Sequence, residues 1–260
     1  MATAVIPCGG RGTRIASLAR TTPKELLHVA GKPLLQWTLE EAAAAGITRA
    51  VVVSSPAKPE IAAFLTARAP DRLVASVVLQ SEPRGLGDAI TCARSAVGAG
   101  TVAVMLPDNL FSAGRPIQQV LDAQRRTGRA AVLLAAIGAS DAATKGPTGR
   151  ARCRLRDDGL YDVLAVAPKG RSGERFDLGI ESAAVTPIGR MAFDAAVFDL
   201  FEAERQRLAP GEELDDVPVL QRLAAERRLV GVLLAAQFFD VGLPEGYRAA
   251  LAALTPGVYP

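Results

Sequence analysis

Apolar runs and amphipathic stretches alternate along the first two-thirds of the chain. Runs at Thr3–Pro7, Ala50–Ser54, Val74–Leu79, Thr101–Leu106 and Ala130–Ile137 are short and often β-branched, which predicts strands. Between them, Pro33–Ala45, Pro59–Ala67, Asp88–Ala96 and Ile117–Thr127 predict helices. Strands separated regularly by helices imply a parallel sheet covered on both faces. Ligands of such sheets sit at the carboxyl ends of the strands. The glycine-rich segment after the first strand, Ser54-Ser55 and Asp108 would all fall there. Beyond residue 150 the rhythm changes. Arg150–Arg156 and Asp162–Ala167 predict paired strands across Asp157-Asp158-Gly159, and Gly170–Gly179 a polar loop. A strand at Ala184–Phe193, helices at Asp194–Leu208 and Val217–Arg227, a strand at Leu229–Ala235 and a helix from Pro244 to Leu254 complete the reading. Neither a repeat nor a linker interrupts it, so the chain is expected to form one unit with an irregular carboxyl-terminal half.

The first strand opens into Cys8-Gly9-Gly10-Arg11-Gly12-Thr13-Arg14, with Pro23-Lys24-Glu25 following. Three glycines in four positions let a backbone turn tightly and present its amides to an anion. Arg11, Arg14 and Lys24 add the positive charge that a triphosphate needs. A dinucleotide fingerprint would require a third glycine where Ile15 stands, and a P-loop would require Ser or Thr after Gly31-Lys32, where Pro33 stands. Both readings fail. A nicotinamide-dependent dehydrogenase also wants an acidic residue soon after the second strand, and none is there.

Composition narrows the class further. At 260 residues and 49% hydrophobic, the chain can bury a sizeable core. A net charge of +3, with the basic residues dispersed, argues against nucleic-acid binding. Three cysteines without metal spacing favour a reducing compartment, and the single histidine, His28, excludes a Ser-His triad or a histidine metal cluster. With no leader pattern and no apolar run near 18 residues, the expectation is a soluble cytoplasmic protein without membrane contact.

Four further segments can carry chemistry. Gln80–Ala89 crosses from a strand into a helix; Gln80 offers a donor and an acceptor to a base edge, and Gly85 admits a flat ring, although a plain connecting loop reads the same way. Asp108, at the end of an apolar strand, either binds a cation or caps a turn. Asp240 lies behind another apolar segment; it can share a metal with Asp108 or simply open a helix. Lys145–Gly149 is either a substrate-lining turn or a surface loop.

Taken together these residues resemble the sugar-1-phosphate nucleotidyltransferases, nearest to the bacterial glucose-1-phosphate uridylyltransferases and thymidylyltransferases. Gly9–Arg14 with Pro23–Glu25 matches the signature G-G-x-G-T-R…P-K-E, and Gly31–Gln36 and Ala45–Thr48 match a helix entry and its end. Gly85–Ala89 matches the base-binding loop, Leu106–Asp108 the first metal aspartate and Phe239–Gly242 the second. The resemblance implies an α/β fold, a Rossmann-like doubly wound mixed sheet of the nucleotide-diphospho-sugar transferase kind. Within one domain, 1–260, it implies a nucleotide-binding half (1–140) and an acceptor-binding half (141–260). It implies that Gly9, Gly10, Arg11, Gly12 and Thr13 wrap the triphosphate and that Arg14 stabilises departing pyrophosphate. Lys24 would bridge the phosphates of both substrates, and Gln80, Gly85 and Leu86 would contact the base. Asp108 and Asp240 would bind Mg2+, and Asn109, Gly149, Lys169 and Glu181 would face the acceptor. The substrates implied are a nucleoside triphosphate, UTP or TTP, and a phosphorylated small molecule. Members are often dimers or tetramers, and the apolar tail Leu251–Pro260 offers a surface for a second copy.

One departure stands out. The family's V-E-K-P, whose Glu binds sugar hydroxyls and whose Lys binds the sugar phosphate, is replaced by Ala165-Val166-Ala167-Pro168. Lys169 can take over the phosphate contact, and Thr148 stands where a tyrosine usually precedes Gly149. Losing the Glu weakens hexose recognition, which points to an unusual acceptor. Two rivals follow: a silent nucleotide-binding regulator of the same fold, and a cytidylyltransferase for an amino-alcohol phosphate or phosphonate, with Glu174, Asp177 or Glu181 meeting the amine.

Overall fold

The computed structural model describes residues 1–171 and 173–254. The chain opens with β1 (Ala2–Pro7), then the glycine loop, a 3-10 turn at Thr13–Ile15, α1 (Ala16–Ala19) and a small hairpin of β2 (His28–Val29) and β3 (Lys32–Pro33). There follow α2 (Leu34–Ala44), β4 (Arg49–Ser54), α3 (Pro59–Arg68), β5 (Val74–Leu79), α4 (Leu86–Cys92), α5 (Arg94–Val97) and β6 (Thr101–Met105). Next come β7 (Asn109–Phe111), α6 (Pro116–Thr127), β8 (Ala130–Gly138) and α7 (Ala139–Ala142). The remainder is β9 (Ala151–Leu155), β10 (Tyr161–Val166), β11 (Ala183–Phe193), α8 (Val197–Arg205), α9 (Val217–Ala225), β12 (Leu229–Leu233), β13 (Phe238–Asp240) and α10 (Pro244–Ala253). Pro59, Pro116 and Pro244 each stand in the first turn of a helix, where a missing N–H costs nothing. Gly128 ends α6 in the left-handed region, φ 65°, and donates its N–H to the Gln124 carbonyl.

Nine strands form one mixed sheet in the order β5-β4-β1-β6-β11-β8-β12-β10-β9. β5, β4, β1 and β6 are parallel, whereas β11 runs antiparallel between β6 and β8. Alternation along the strands covers both faces. Ala4, Ile6, Ala50 and Val52 join one core, and Val5, Val51 and Val53 join the other. Helix ends differ from the sequence reading by a few residues. The stretch expected as one helix at Asp88–Ala96 starts at Leu86 and divides at Ala93 into α4 and α5. The helix expected from Asp194 starts at Val197 because Asp194 accepts the Ala196 N–H at 2.9 Å and closes a turn instead.

A separate two-stranded ribbon matters most for function. β13 pairs with β7 in antiparallel register, Asp240 opposite Asn109, and the Val241 N–H donates to the Asp108 carbonyl at 2.8 Å. Beneath it, Val29, Leu34, Leu110, Phe239, Val241 and Ala250 form a third apolar cluster. Residues 255–260 of the apolar tail lie outside the described residues. Cys8, Cys92 and Cys153 are free thiols, and no helix among the described residues is long and apolar enough to cross a membrane.

Candidate active site

A cleft of about 650 Å³ takes its walls from the glycine loop, the segment after β6, the Lys145–Gly149 turn and the start of α9. The Cys8 N–H donates to the Val53 carbonyl at 2.7 Å, so the sheet's hydrogen bonding continues into the loop. Gly12 then takes φ 66°, a conformation side chains rarely adopt, and turns the chain into the Thr13–Ile15 turn. Lys58 fixes the loop from beneath. Its Nζ donates to the Cys8 and Gly10 carbonyls, both at 2.7 Å, and to both carboxylate oxygens of Glu25 at 3.0 Å. Glu25 is fully buried, and the pair ties the glycine loop to the segment carrying Lys24. The sequence reading missed Lys58, because a lone lysine before a helix carries no pattern.

The β7–β13 ribbon brings the two expected aspartates together. The Lys24 Nζ donates to Asp108 Oδ2 at 2.6 Å, and Asn109 Nδ2 donates to Asp108 Oδ1 at 3.1 Å. Asp240 accepts from the Gly146 N–H at 2.8 Å and the Gly242 N–H at 3.2 Å. A Cβ on Gly242 would stand 3.0 Å from Asp108 Oδ2, 3.1 Å from Asp240 Oδ1 and 3.4 Å from the Arg14 guanidinium. Glycine at this point leaves room where the three groups converge. Burial opposes ionisation of Asp108, but Lys24 outweighs it, and Arg14 and Asn109 add to Lys24, so this carboxyl is held below the usual range. Asp240 goes the other way: burial and the Asp108 charge push it up against the pull of Arg14. Beneath this pair the almost fully buried Arg190 donates to the carbonyls of Leu106 and Gly189 at 2.8 Å and pairs with Glu41 at 2.7 Å. It also stacks on Phe111, 4.8 Å from the ring centroid.

Gln80 and Gly85 sit at another wall of the cleft. Gln80 Nε2 is committed to the Gly85 carbonyl at 3.2 Å and to Asp88 at 2.7 Å, and Asp88 in turn pairs with Arg205 at 2.6 Å. Gly85 takes φ 101°, a Cβ there would collide with the Leu214 carbonyl, and Leu86 lines the cleft beside it. Gly9, Gly10, Arg11 and Thr13 also border the cleft; Ser54, the buried last residue of β4, does not.

On the acceptor side, three of the four expected residues border the cleft. Gly149 borders the cleft and accepts the Thr186 hydroxyl at 2.8 Å. Asn109 also borders it, but its carboxamide is used at both ends, accepting the Gly189 N–H at 2.8 Å while it holds Asp108. Lys169 borders the cleft, where its Nζ donates to Asp215 at 2.6 Å and Asp216 at 2.8 Å. Burial resists its charge, yet the two acids, Asp216 foremost, raise its affinity for the proton. The structure does not bring Glu181 to the cleft; the residue is exposed on a turn. Glu174 and Asp177 accept nearby backbone N–H groups, at 2.7 Å each, in the same loop. Glu213, which the sequence reading passed over, lines the cleft, as does Lys145.

A family model described as Nucleotidyl transferase matches residues 3–147. The UTP--glucose-1-phosphate uridylyltransferase of Bacillus subtilis (strain 168) is 25% identical over 266 residues, spanning 94% of this chain and 87% of that protein. Its namesake from Haemophilus influenzae is 27% identical over 277 residues, spanning 95% and 90%. Among solved structures, a UDP-glucose pyrophosphorylase complexed with UDP-glucose superposes with a TM-score of 0.81 at 22% identity, covering 97% of this chain and 98% of that one. A UTP-bound UGPase from Acinetobacter baumannii gives a TM-score of 0.77 at 21% identity, covering 97% and 92%. The family model spans more than half of the sequence, including the glycine loop, Lys24 and Asp108, and the chain belongs to the nucleotidyl transferase family.

Proposed function

We propose that this protein transfers a nucleotidyl group from UTP or TTP to a sugar-1-phosphate or sugar-like phosphate and releases pyrophosphate. The observation that carries the reading is the convergence of Lys24, Arg14, Asp108 and Asp240 at the mouth of the glycine loop. The printed names of the Bacillus and Haemophilus relatives favour a uridylyl group and glucose-1-phosphate. A phosphate oxygen of the acceptor attacks the α-phosphorus in line, and pyrophosphate leaves. The nucleophile is already an anion, so no general base is needed. The obstacle is repulsion between anions, which positioning and positive charge overcome.

In this reading the amides of Gly9–Thr13 hold the triphosphate, Arg14 receives charge as pyrophosphate departs, and Lys24 lies between the phosphates of the two substrates. Gln80, Gly85 and Leu86 contact the base. Two carboxylates fit a magnesium ion, which is ordinarily held by one or two carboxylates together with substrate phosphates; among the described residues no group of three or more His, Cys, Asp or Glu side chains forms a closed site. Asp108 and Asp240 would hold it. When bound, the ion would neutralise charge on the α-phosphate. The complete set of cations and carboxylates speaks against a silent regulator. The test is pyrophosphate release by the purified protein with magnesium, crossing nucleoside triphosphates with sugar, cyclitol and amino-alcohol phosphates. Release with UTP or TTP and a sugar-1-phosphate is expected; nucleotide binding without release under any pairing would defeat the reading.

A further inference from the structure

Four lysines lie in or under the cleft, and three are matched to carboxylates: Lys24 to Asp108, Lys58 to Glu25, and Lys169 to Asp215 and Asp216. Lys145 is the exception. It is 6% exposed and lines the cleft, yet among the described residues no carboxylate lies within 4.0 Å of its ammonium. One donor goes to the neighbouring Thr144 hydroxyl at 2.8 Å, and the Nζ stands over the Phe238 ring at 5.4 Å. Asp141 and Asp240 act on it only at longer range. An ammonium has three donors, and burying one without a counter-ion is costly. A buried, unmatched cation at the edge of a cleft built for phosphates is one that waits for an anion.

Its position is fixed as well. The next residue, Gly146, donates its N–H to Asp240 at 2.8 Å, and the Lys145 carbonyl accepts the Phe176 N–H at 3.1 Å. The turn therefore fixes the Lys145 backbone next to the amide that binds Asp240, on the wall that continues to Thr148 and Gly149. Lys169, the other lysine of that wall, carries its charge inside a pair of aspartates. We propose that Lys145 is the phosphate anchor of the acceptor: its ammonium binds the phosphate monoester whose oxygen attacks the nucleotide. This rests on the nucleotidyl-transfer reading above. A triphosphate tail would offer the same chemistry, so the experiment separates the two sources.

Lys145→Gln and Lys145→Arg are prepared in the full chain and compared with the parent by two measurements. The first is steady-state pyrophosphate release. Lys145→Gln is expected to raise the acceptor KM by about 10- to 100-fold, the scale of a lost hydrogen bond to a charged group, with the nucleotide KM within about 2-fold by the same scale; Lys145→Arg restores most of the loss. The second needs no turnover. Inorganic phosphate is titrated calorimetrically, with magnesium, into protein saturated with a non-hydrolysable nucleoside triphosphate analogue, and Lys145→Gln is expected to weaken its binding about 10-fold. Unchanged phosphate affinity, or a parent protein that binds no phosphate in this state, overturns the proposal. A parallel loss of nucleotide affinity overturns it too, by assigning Lys145 to the triphosphate. Should the parent release no pyrophosphate with any pair, the nucleotidyl-transfer reading fails while the titration still decides whether Lys145 binds phosphate.

Discussion

Lys24 shows how much a single side chain can do in a dry site. Burial works against its charge, but Asp108 first and Glu25 second reverse the effect, so it stays an ammonium. The same contact keeps Asp108 ionised. Replacing it with Met removes a cation from between two anions and leaves Asp108 without the neighbour that favours its charge. We expect Lys24→Met to lower kcat by roughly 100- to 1,000-fold, the scale of losing one aligned electrostatic contact, with circular dichroism unchanged; a loss under about 5-fold on that scale would remove Lys24 from the chemistry. Residues of this kind were legible in the sequence because they sit in a contiguous, dense motif. Lys58 and Arg190 were not. Each acts through carbonyls and a distant acid, Glu25 or Glu41, and neither local spacing nor residue type announces such a partner. The partners of Lys169 were hidden for the same reason: the lysine was visible in the sequence, but its two aspartates were far along the chain.

Most of the sheet strands were legible from their apolar runs, because a strand buried on both faces leaves a strong signal. The three-residue strands β7 and β13 were not, since they are too short for periodicity. Yet it is their pairing that turns two separate aspartates into one site. The ribbon depends on what lies under it. Arg190 on β11 joins the segment after β6 to α2 through Glu41, whose carboxylate also accepts the Ile117 N–H at the start of α6. Arg190→Met would leave the half-buried Glu41 without its cation and with only the Ile117 N–H, at a cost of about 3 kcal/mol. A fall of the thermal midpoint on the order of 10 °C is expected; a fall below about 2 °C would show the pair to be replaceable. Next to the edge strand β9, Asp162 on β10 receives Arg154, Arg156 and Arg129 at 2.6, 3.1 and 3.2 Å. Hydrogen bonding to Arg154 is the leading cause that lowers its carboxyl below the ordinary range. The stabilisation is therefore full above the unfolded carboxylate value of about 3.9 and is lost as the pH falls through the lower folded value. Asp162→Asn should flatten the pH dependence of the melting temperature in this acid window, and an unchanged slope would count against the arginine cluster.

At the scale of the molecule, the two-sided sheet and the position of the glycine loop followed from the alternation of runs. The placement of β11 between β6 and β8 did not, because no local feature selects a sheet neighbour so distant in sequence. The cleft is lined by residues from both early and late parts of the sequence, so a ligand touching both should stabilise the whole fold. A nucleoside triphosphate with magnesium at 100 times its dissociation constant would add about 2.7 kcal/mol, read as a rise in the thermal midpoint. Chelation, or Asp240→Asn, should remove the magnesium-dependent part of that rise and spare the rest. If nucleotide alone gives the full shift, the paired carboxylates hold no ion that matters for binding. The ribbon of β7 and β13 also sets a clock. At a synthesis rate of roughly 5–20 residues per second, Asp240 emerges on the order of ten seconds after Asp108. During that interval the growing chain carries the glycine loop and Asp108, but neither Asp240 nor the strand that places it. The paired-aspartate site is therefore a late product of synthesis, complete only when the last strand closes on its partner.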